Sequence, residues 1–166
     1  MFISVNWIKE FLNKDMPNIS SRELMSKLTL ATCEVEEMIE TGKILEEVTV
    51  VEISSIKKHP DSDRLNLVTF KLDESGEKTK EVVCGAPNVK VGLKVPYAKI
   101  GTTFSSGLTL TPKKIRGIVS EGMLCSSQEL DLPDTDYDGL LELPKDAPTG
   151  STLAKFFNIT TDLLFE

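Results

Sequence analysis

The chain has 166 residues, 19 basic against 26 acidic, a net charge of −7, and 40% apolar residues, enough to bury one ordinary domain with a small annex. Charged residues at 27% with mixed signs exclude a disordered chain. No apolar run approaches the ~18 residues of a membrane helix. The opening MFISVNWIKEF lacks the pattern of a secretory signal, and the three dispersed cysteines, Cys33, Cys84 and Cys125, predict a reducing, cytoplasmic setting without a disulfide framework.

In chain order, Val5, Ile8, Phe11 and Leu12, with Trp7 beside them, form one helical stripe that Ser4 can cap. After DMPN, Ser20 and Glu23 have the spacing of a capping box, and Leu24, Leu28 and Ala31 recur on one face of a second helix. Each helix is too short to stand alone in water and needs a surface to lie on. From Val48 the period changes to two. Leu93, Val95 and Tyr97 alternate with Lys94, Pro96 and Ala98, and Leu108 and Leu110 with Thr109 and Thr111. The alternation changes phase at Val50–Val51 and at Leu67–Val68, which predicts β-bulges there. Turn signals at 59–63, 73–77, 85–88 and 105–107 separate about five short strands. Five strands in roughly 100 residues predict a small closed barrel, the five-stranded Greek-key type that binds oligonucleotides. The tail opens with the acidic loop DLPDTDYDG, continues with Leu140, Leu141 and Leu143, and predicts a helix from Ser151 that buries Leu153, Phe156 and Phe157. The apolar ending DLLFE is expected of a piece of a longer polypeptide.

Charge follows the same three-part division. Residues 1–42 carry −3 (4 basic, 7 acidic), residues 43–130 carry +2 (13 and 11), and residues 131–166 carry −6 (2 and 8). In the middle segment Lys57, Lys58 and Arg64 flank HPDSD, and Lys113, Lys114 and Arg116 follow TLTP; on a continuing strand Lys114 and Arg116 would share a face. Two basic clusters at strand ends suit contact along a nucleic-acid backbone. Lysines on strands also keep sheet edges solvated and unpaired, and charge alone leaves both readings open. Only Phe70, Tyr97 and Phe104 supply aromatic rings in this segment, so shape and phosphate recognition are favoured over base stacking.

Enzymatic chemistry finds little support. His59, the only histidine, is of the residue type most used as a catalytic base, but His59-Pro60 followed by Asp61, Ser62 and Asp63 is first of all turn chemistry. A metal site from His59, Cys84 and Cys125 lacks close ligand pairs. A Cys125 or Ser126 nucleophile would have to recruit that same histidine, and the cysteines read better as small core residues. Neither glycine-rich phosphate motif occurs. No catalytic residue, metal ligand or cofactor site is predicted in this chain.

HPDSDRLNLVTF, VVCGAPNVKVGLKVPYAKIG and KKIRGIVSEGMLCSSQELDL resemble, in order, three blocks of the tRNA-binding barrel module. That module occurs in free-standing tRNA-binding proteins, in some methionyl-tRNA synthetases and in the bacterial phenylalanyl-tRNA synthetase β subunit. The resemblance covers roughly 44–143 and implies an OB-fold. SVNWIKEFLN and LMSKLTLATCEVEEM resemble the leader that precedes the barrel in the phenylalanyl family, where the piece after the barrel returns to pack with it. The resemblance therefore implies a mainly β chain with flanking helices: a tRNA-binding OB-fold barrel over 43–146, inserted in a small helical domain made of 1–42 and 147–166. It implies a parent ligase of two α and two β subunits, soluble in the cytoplasm, that charges phenylalanine tRNA using ATP and magnesium outside these residues. The HPDSDRL turn and the RGIVSEGMLCS block would rim the tRNA-facing surface. Lys57, Lys58, Arg64, Lys113, Lys114 and Arg116 would make the contacts, while His59, Pro60, Asp63, Asn88, Ser120, Glu121 and Met123 would shape loops. Ser62 and Arg64 depart from the family's HPxADKL, and Arg for Lys keeps the charge while adding a planar fork. Two further readings stand beside this one, a structural docking module with little RNA contact and a free-standing tRNA-binding protein.

Overall fold

The computed structural model describes residues 2–12, 19–32, 34–132 and 139–166. Cys33, the DMPN segment and most of the acidic loop lie outside the described residues. The chain divides into two compact units, one of residues 1–43 with 160–166 and one of residues 44–159.

The smaller unit holds β1 (Ile3–Ser4), α1 (Val5–Leu12), α2 (Ser21–Ala31) and β2 (Met38–Thr41), and is completed by the final strand, β10 (Asp162–Phe165). β10 is the middle strand of an antiparallel sheet ordered β1-β10-β2, with Phe165 opposite both Ile3 and Met38. Ser4 caps α1 by accepting the Trp7 N–H (3.0 Å), and Ser20 caps α2 by accepting that of Glu23 (3.2 Å). The Glu23 carboxylate pairs with Lys27 (2.9 Å). Ser4 in turn donates to Asp162 (2.6 Å), which also accepts the Asn6 N–H. Burial pushes the Asp162 carboxyl up, but the bonds from Ser4, Asn6 and Leu163 and the Lys9 charge outweigh it, so the net shift is downward. Val5, Val35 and Phe165 form a small core joined by Leu24, Met25 and Leu28. The predicted stripes bury only in part. Ala31 is exposed, and Trp7, Phe11 and Leu12 are 68%, 87% and 56% exposed.

The larger unit begins within α3 (Lys43–Glu47), whose Leu45 is buried, and continues into β3 (Val48–His59), β4 (Ser62–Lys71), β5 (Thr79–Cys84) and β6 (Lys94–Lys99). A two-stranded ribbon, β7 (Lys113–Ile115) and β8 (Ile118–Ser120), precedes β9 (Gly122–Leu124). A 3-10 turn (Gln128–Leu130) and α4 (Leu153–Phe157) follow, α4 capped by Thr152 rather than at Ser151. The five sheet strands run β5-β4-β3-β6-β9, all antiparallel. The five-stranded, OB-fold-like expectation holds, but closure does not: β5 and β9 are free edges with no ladder between them. A groove of about 350 Å³ opens along that seam, lined by Cys84, Ala86, Met123 and Leu140 among others.

The predicted bulge at Val50–Val51 is absent, since β3 pairs with β6 in unbroken register from Val48↔Ala98 to Glu52↔Lys94. Val48 and Val50 bury in one cluster with Leu45, Cys125 and Leu153, while Val51 and Ile53 bury in another with Val68, Phe70, Val82 and Tyr97. Adjacent apolar residues here mark a strand covered on both faces. Leu67–Val68 also lies in regular ladders; the register of β3 against β4 shifts at Ser54 and beyond Lys58 instead. The 108–111 run makes a single bridge, Thr103↔Thr109, and no sheet strand.

The predicted boundary at 146/147 also moves. Gly150 and Ser151 hydrogen-bond to both backbone groups of Val50 (2.8 and 2.9 Å), and Ala147, Leu153 and Ala154 complete the cluster that buries Val48 and Val50. Residues 147–159 therefore belong to the larger unit, and only 160–166 join the leader. Phe157, expected to be buried, remains 38% exposed.

Two substitutions test this packing. Phe165→Ala removes the one large fully buried side chain among the described residues of the small unit and should cost about 3–5 kcal/mol there. Hydrogen exchange should show protection lost at Met38–Thr41 while the five-stranded sheet keeps its own. Gly122 has φ +139, and a Cβ there would lie 2.7 Å from the Ala98 carbonyl oxygen and collide with the Tyr97 ring. Gly122→Ala should lower the melting temperature by roughly 5–10 °C, against a few degrees for Gly107→Ala, which has open space around it and bears only the cost of a positive φ.

Candidate nucleic-acid interface

The two basic clusters lie on two hairpins whose tips touch. The first is the β3–β4 turn, where His59 pairs with Ser62 across Pro60 and Asp61. Pro60 sets φ for such a tight turn. The register then jumps from His59↔Ser62 to Lys58↔Asn66, which leaves Asp63, Arg64 and Leu65 in a bulge of β4. Lys57, Lys58, Asp63 and Arg64 are all exposed. The second is the β7–β8 ribbon, closed by Arg116 (φ +43) and Gly117 (φ +92) between the paired Ile115 and Ile118. Two successive positive φ values are the mark of the hairpin turn that matches strand twist. β7 thus ends at Ile115, and the expectation that Lys114 and Arg116 share a strand face fails because Arg116 belongs to the turn.

His59 joins the hairpins. It is 3% exposed, and its Nδ1 accepts the Asp61 N–H (3.1 Å). That nitrogen therefore carries no proton, so Nε2 is the N–H that donates to the Ile115 carbonyl (3.3 Å). Alongside, Arg116 Nη1 donates to the Asp61 carbonyl (2.7 Å). Both ring nitrogens are engaged by backbone, which leaves neither for catalysis or metal ligation. Among the described residues no three His, Cys, Asp or Glu side chains converge as a metal site. Cys84 and Cys125 are free thiols whose pKa values burial raises, the opposite of an activated nucleophile.

Other motif residues hold backbone. Ser120 Oγ accepts the Val83 N–H (3.2 Å) and donates to the Gly122 carbonyl (3.1 Å), which ties the ribbon's base to the free edge of β5. The Asn88 amide donates to the Leu140 carbonyl and accepts its N–H, both at 2.9 Å, and so clasps the segment after the acidic loop. Glu121 is exposed, with its carbonyl accepting from the Tyr97 hydroxyl (2.8 Å), and Met123 packs on the outer cluster.

Charge is local rather than global. Counted over 44–159, the barrel unit carries 14 basic and 17 acidic residues, a net −3 instead of the +2 of the central segment. Yet none of the six candidate cations forms an ion pair among the described residues, and all are exposed, so their charge is available to a ligand. The sequence reading missed the Asp61 and Ile115 carbonyls and Gly117. The dipeptide Arg116-Gly117 between two apolar residues was the available signal of a two-residue hairpin.

No helix among the described residues is long and apolar enough to cross a membrane. Over 165 residues the chain is 41% identical to the phenylalanine–tRNA ligase beta subunit of Neisseria gonorrhoeae, covering 99% of this chain and 20% of that protein. Over 166 residues it is 40% identical to that of Dechloromonas aromatica, covering 100% and 20%. The chain thus spans about a fifth of the length of the curated relatives it matches. Among solved structures, the MetRS related protein from Pyrococcus horikoshii aligns with 63% of this chain and 86% of its own at 22% identity, with a TM-score of 0.43. Residues 48–152, from the first residue of β3 to the cap of α4, match the family described as "Putative tRNA binding domain", and the chain belongs to that family.

Proposed function

We propose that this chain is the non-catalytic tRNA-binding part of a phenylalanine–tRNA ligase beta subunit. In this reading it works in the cytoplasm with the remainder of that subunit and an alpha subunit, in an assembly of two of each. The assembly consumes ATP and magnesium elsewhere and joins phenylalanine to its tRNA. The observation that carries the reading is the meeting of the two basic hairpins, which carry six exposed cations between them, in a member of a tRNA-binding family. Phosphates of folded RNA are the ligand such a surface suits, because exposed cations gain affinity by releasing the counterions of a polyanion. A unit with net negative charge repels RNA elsewhere, so binding is weak and oriented. Within a large enzyme weak binding suffices, since linkage raises the effective concentration.

A second reading, docking within the synthetase, is favoured by the exposed Trp7 and Phe11 on one side of α1. Both roles are compatible, since they use different units.

Titration of the chain with tRNA at rising salt should give weak binding with log K falling by roughly 0.7–0.9 per phosphate contact for each decade of salt. Reversal of Lys113 and Lys114 to Glu should weaken binding far more than reversal of Lys145 and Lys155. Equal effects would place the interface elsewhere, and equal affinity for tRNA and a simple polyanion would remove the tRNA reading. In the intact ligase, excision of residues 44–159 should raise the tRNA KM for charging while leaving amino-acid activation, measured by pyrophosphate exchange, near its original rate. An unchanged tRNA KM would favour the docking role alone.

A further inference from the structure

We propose that His59 is a positioning residue for RNA contact, acting through the β7–β8 ribbon without touching RNA. The inference rests on the tRNA-binding reading above and adds how its second basic cluster is held in place.

The ribbon carries Lys113 and Lys114 on strands of three residues, and a two-stranded hairpin of that length has little stability of its own. Its position is set by its attachments. Ser120 fastens the base to β5, which leaves the tip free to swing about that point unless it is held too. At the tip, the Arg116 bond to the Asp61 carbonyl is exposed, where water competes for both groups. The His59 bond to the Ile115 carbonyl comes from a side chain only 3% exposed, where losing a partner leaves a polar group unsatisfied. The His59 bond is part-buried and the Arg116 bond exposed, so water replaces the second more readily than the first. The Asp61 N–H fixes the tautomer that makes it, since a ring protonated at Nδ1 could not accept that bond. The first basic hairpin thereby sets the position of the second, and Lys57, Lys58, Arg64, Lys113 and Lys114 meet the ligand as one preorganised surface.

Two substitutions separate the ring nitrogens. In His59→Asn the amide oxygen takes the Nδ1 position and keeps the Asp61 N–H, but nothing reaches Ile115. In His59→Gln the amide extends to the Nε2 position and restores a donor for Ile115. Both variants, a Lys113→Ala/Lys114→Ala pair and the triple variant carrying His59→Asn are titrated with tRNA across a salt series, with melting temperature as the control for folding. His59→Asn should bind about three- to tenfold more weakly at low salt, with a salt slope lower by about 1.5, the equivalent of two phosphate contacts. His59→Gln should bind within about twofold of the original chain. Adding His59→Asn to the lysine pair should change nothing further, because both act on the same contacts. Amide exchange in β7 and β8 should be faster in His59→Asn than in His59→Gln.

An unchanged salt slope in His59→Asn, equal losses in the two histidine variants, or additivity with the lysine pair would each overturn the inference. Failure of the unsubstituted chain to bind tRNA would instead overturn the reading beneath it. The hold of His59 on the ribbon is judged separately by exchange in β7 and β8, and identical exchange in the two histidine variants would overturn it.

Discussion

The larger unit depends on β3 being covered on both faces. Side chains of a strand alternate, so a run with Val48 and Val50 on one side and Val51 and Ile53 on the other can bury all four only between two apolar layers. One layer is formed by side chains of the five-stranded sheet itself, Val68, Phe70, Val82, Val95 and Tyr97 among them. The other is built from α3, Ala147 and α4, whose segment closes against the edge of β3 at Val50. The ladders on β3 divide the same way, with β6 pairing its first five residues and β4 its second half. Without the tail the outer face of β3 would stand in water, which is why residues as late as 159 belong to this unit.

β5 and β9 leave an open seam between the sheet edges, and the ribbon lies at it. Ser120 supplies a side-chain acceptor to the β5 edge at Val83, and Tyr97 reaches over Gly122 to the Glu121 carbonyl. The sheet edges are bridged by side chains where a closed barrel would use backbone. Such contacts fix the ends of the ribbon and leave its lysines unpaired. An interface assembled from two hairpins can be cationic while its unit is anionic, because screening limits each charge to about a Debye length, ~10 Å at 0.1 M salt.

The smaller unit shows the limits of size. Its core of Val5, Val35 and Phe165 forms only when β10 returns from the other end of the chain, and it leaves Trp7, Phe11 and Leu12 exposed. Eight residues of α1 present more apolar surface than three buried side chains and their neighbours can cover. The stripe that predicts a buried helix is therefore real as a pattern and incomplete as burial within this unit.

Much of this was legible in one dimension. Local chemistry placed the Ser4 and Ser20 caps, the turn at Pro60, four of the five sheet strands and the two basic clusters, since capping, turn geometry and alternation depend on neighbours in the chain; the fifth strand is β9 and not the 108–111 run. Pairing between distant segments decided the rest. The Val50–Val51 phase change reads as a bulge until the second layer is seen, and the boundary near 147 moves once Gly150 and Ser151 are found on β3. Sequence alone named His59 as a turn residue. Only the folded chain brings Ile115 to its Nε2, because that bond joins residues 56 apart and depends on where two hairpins come to rest.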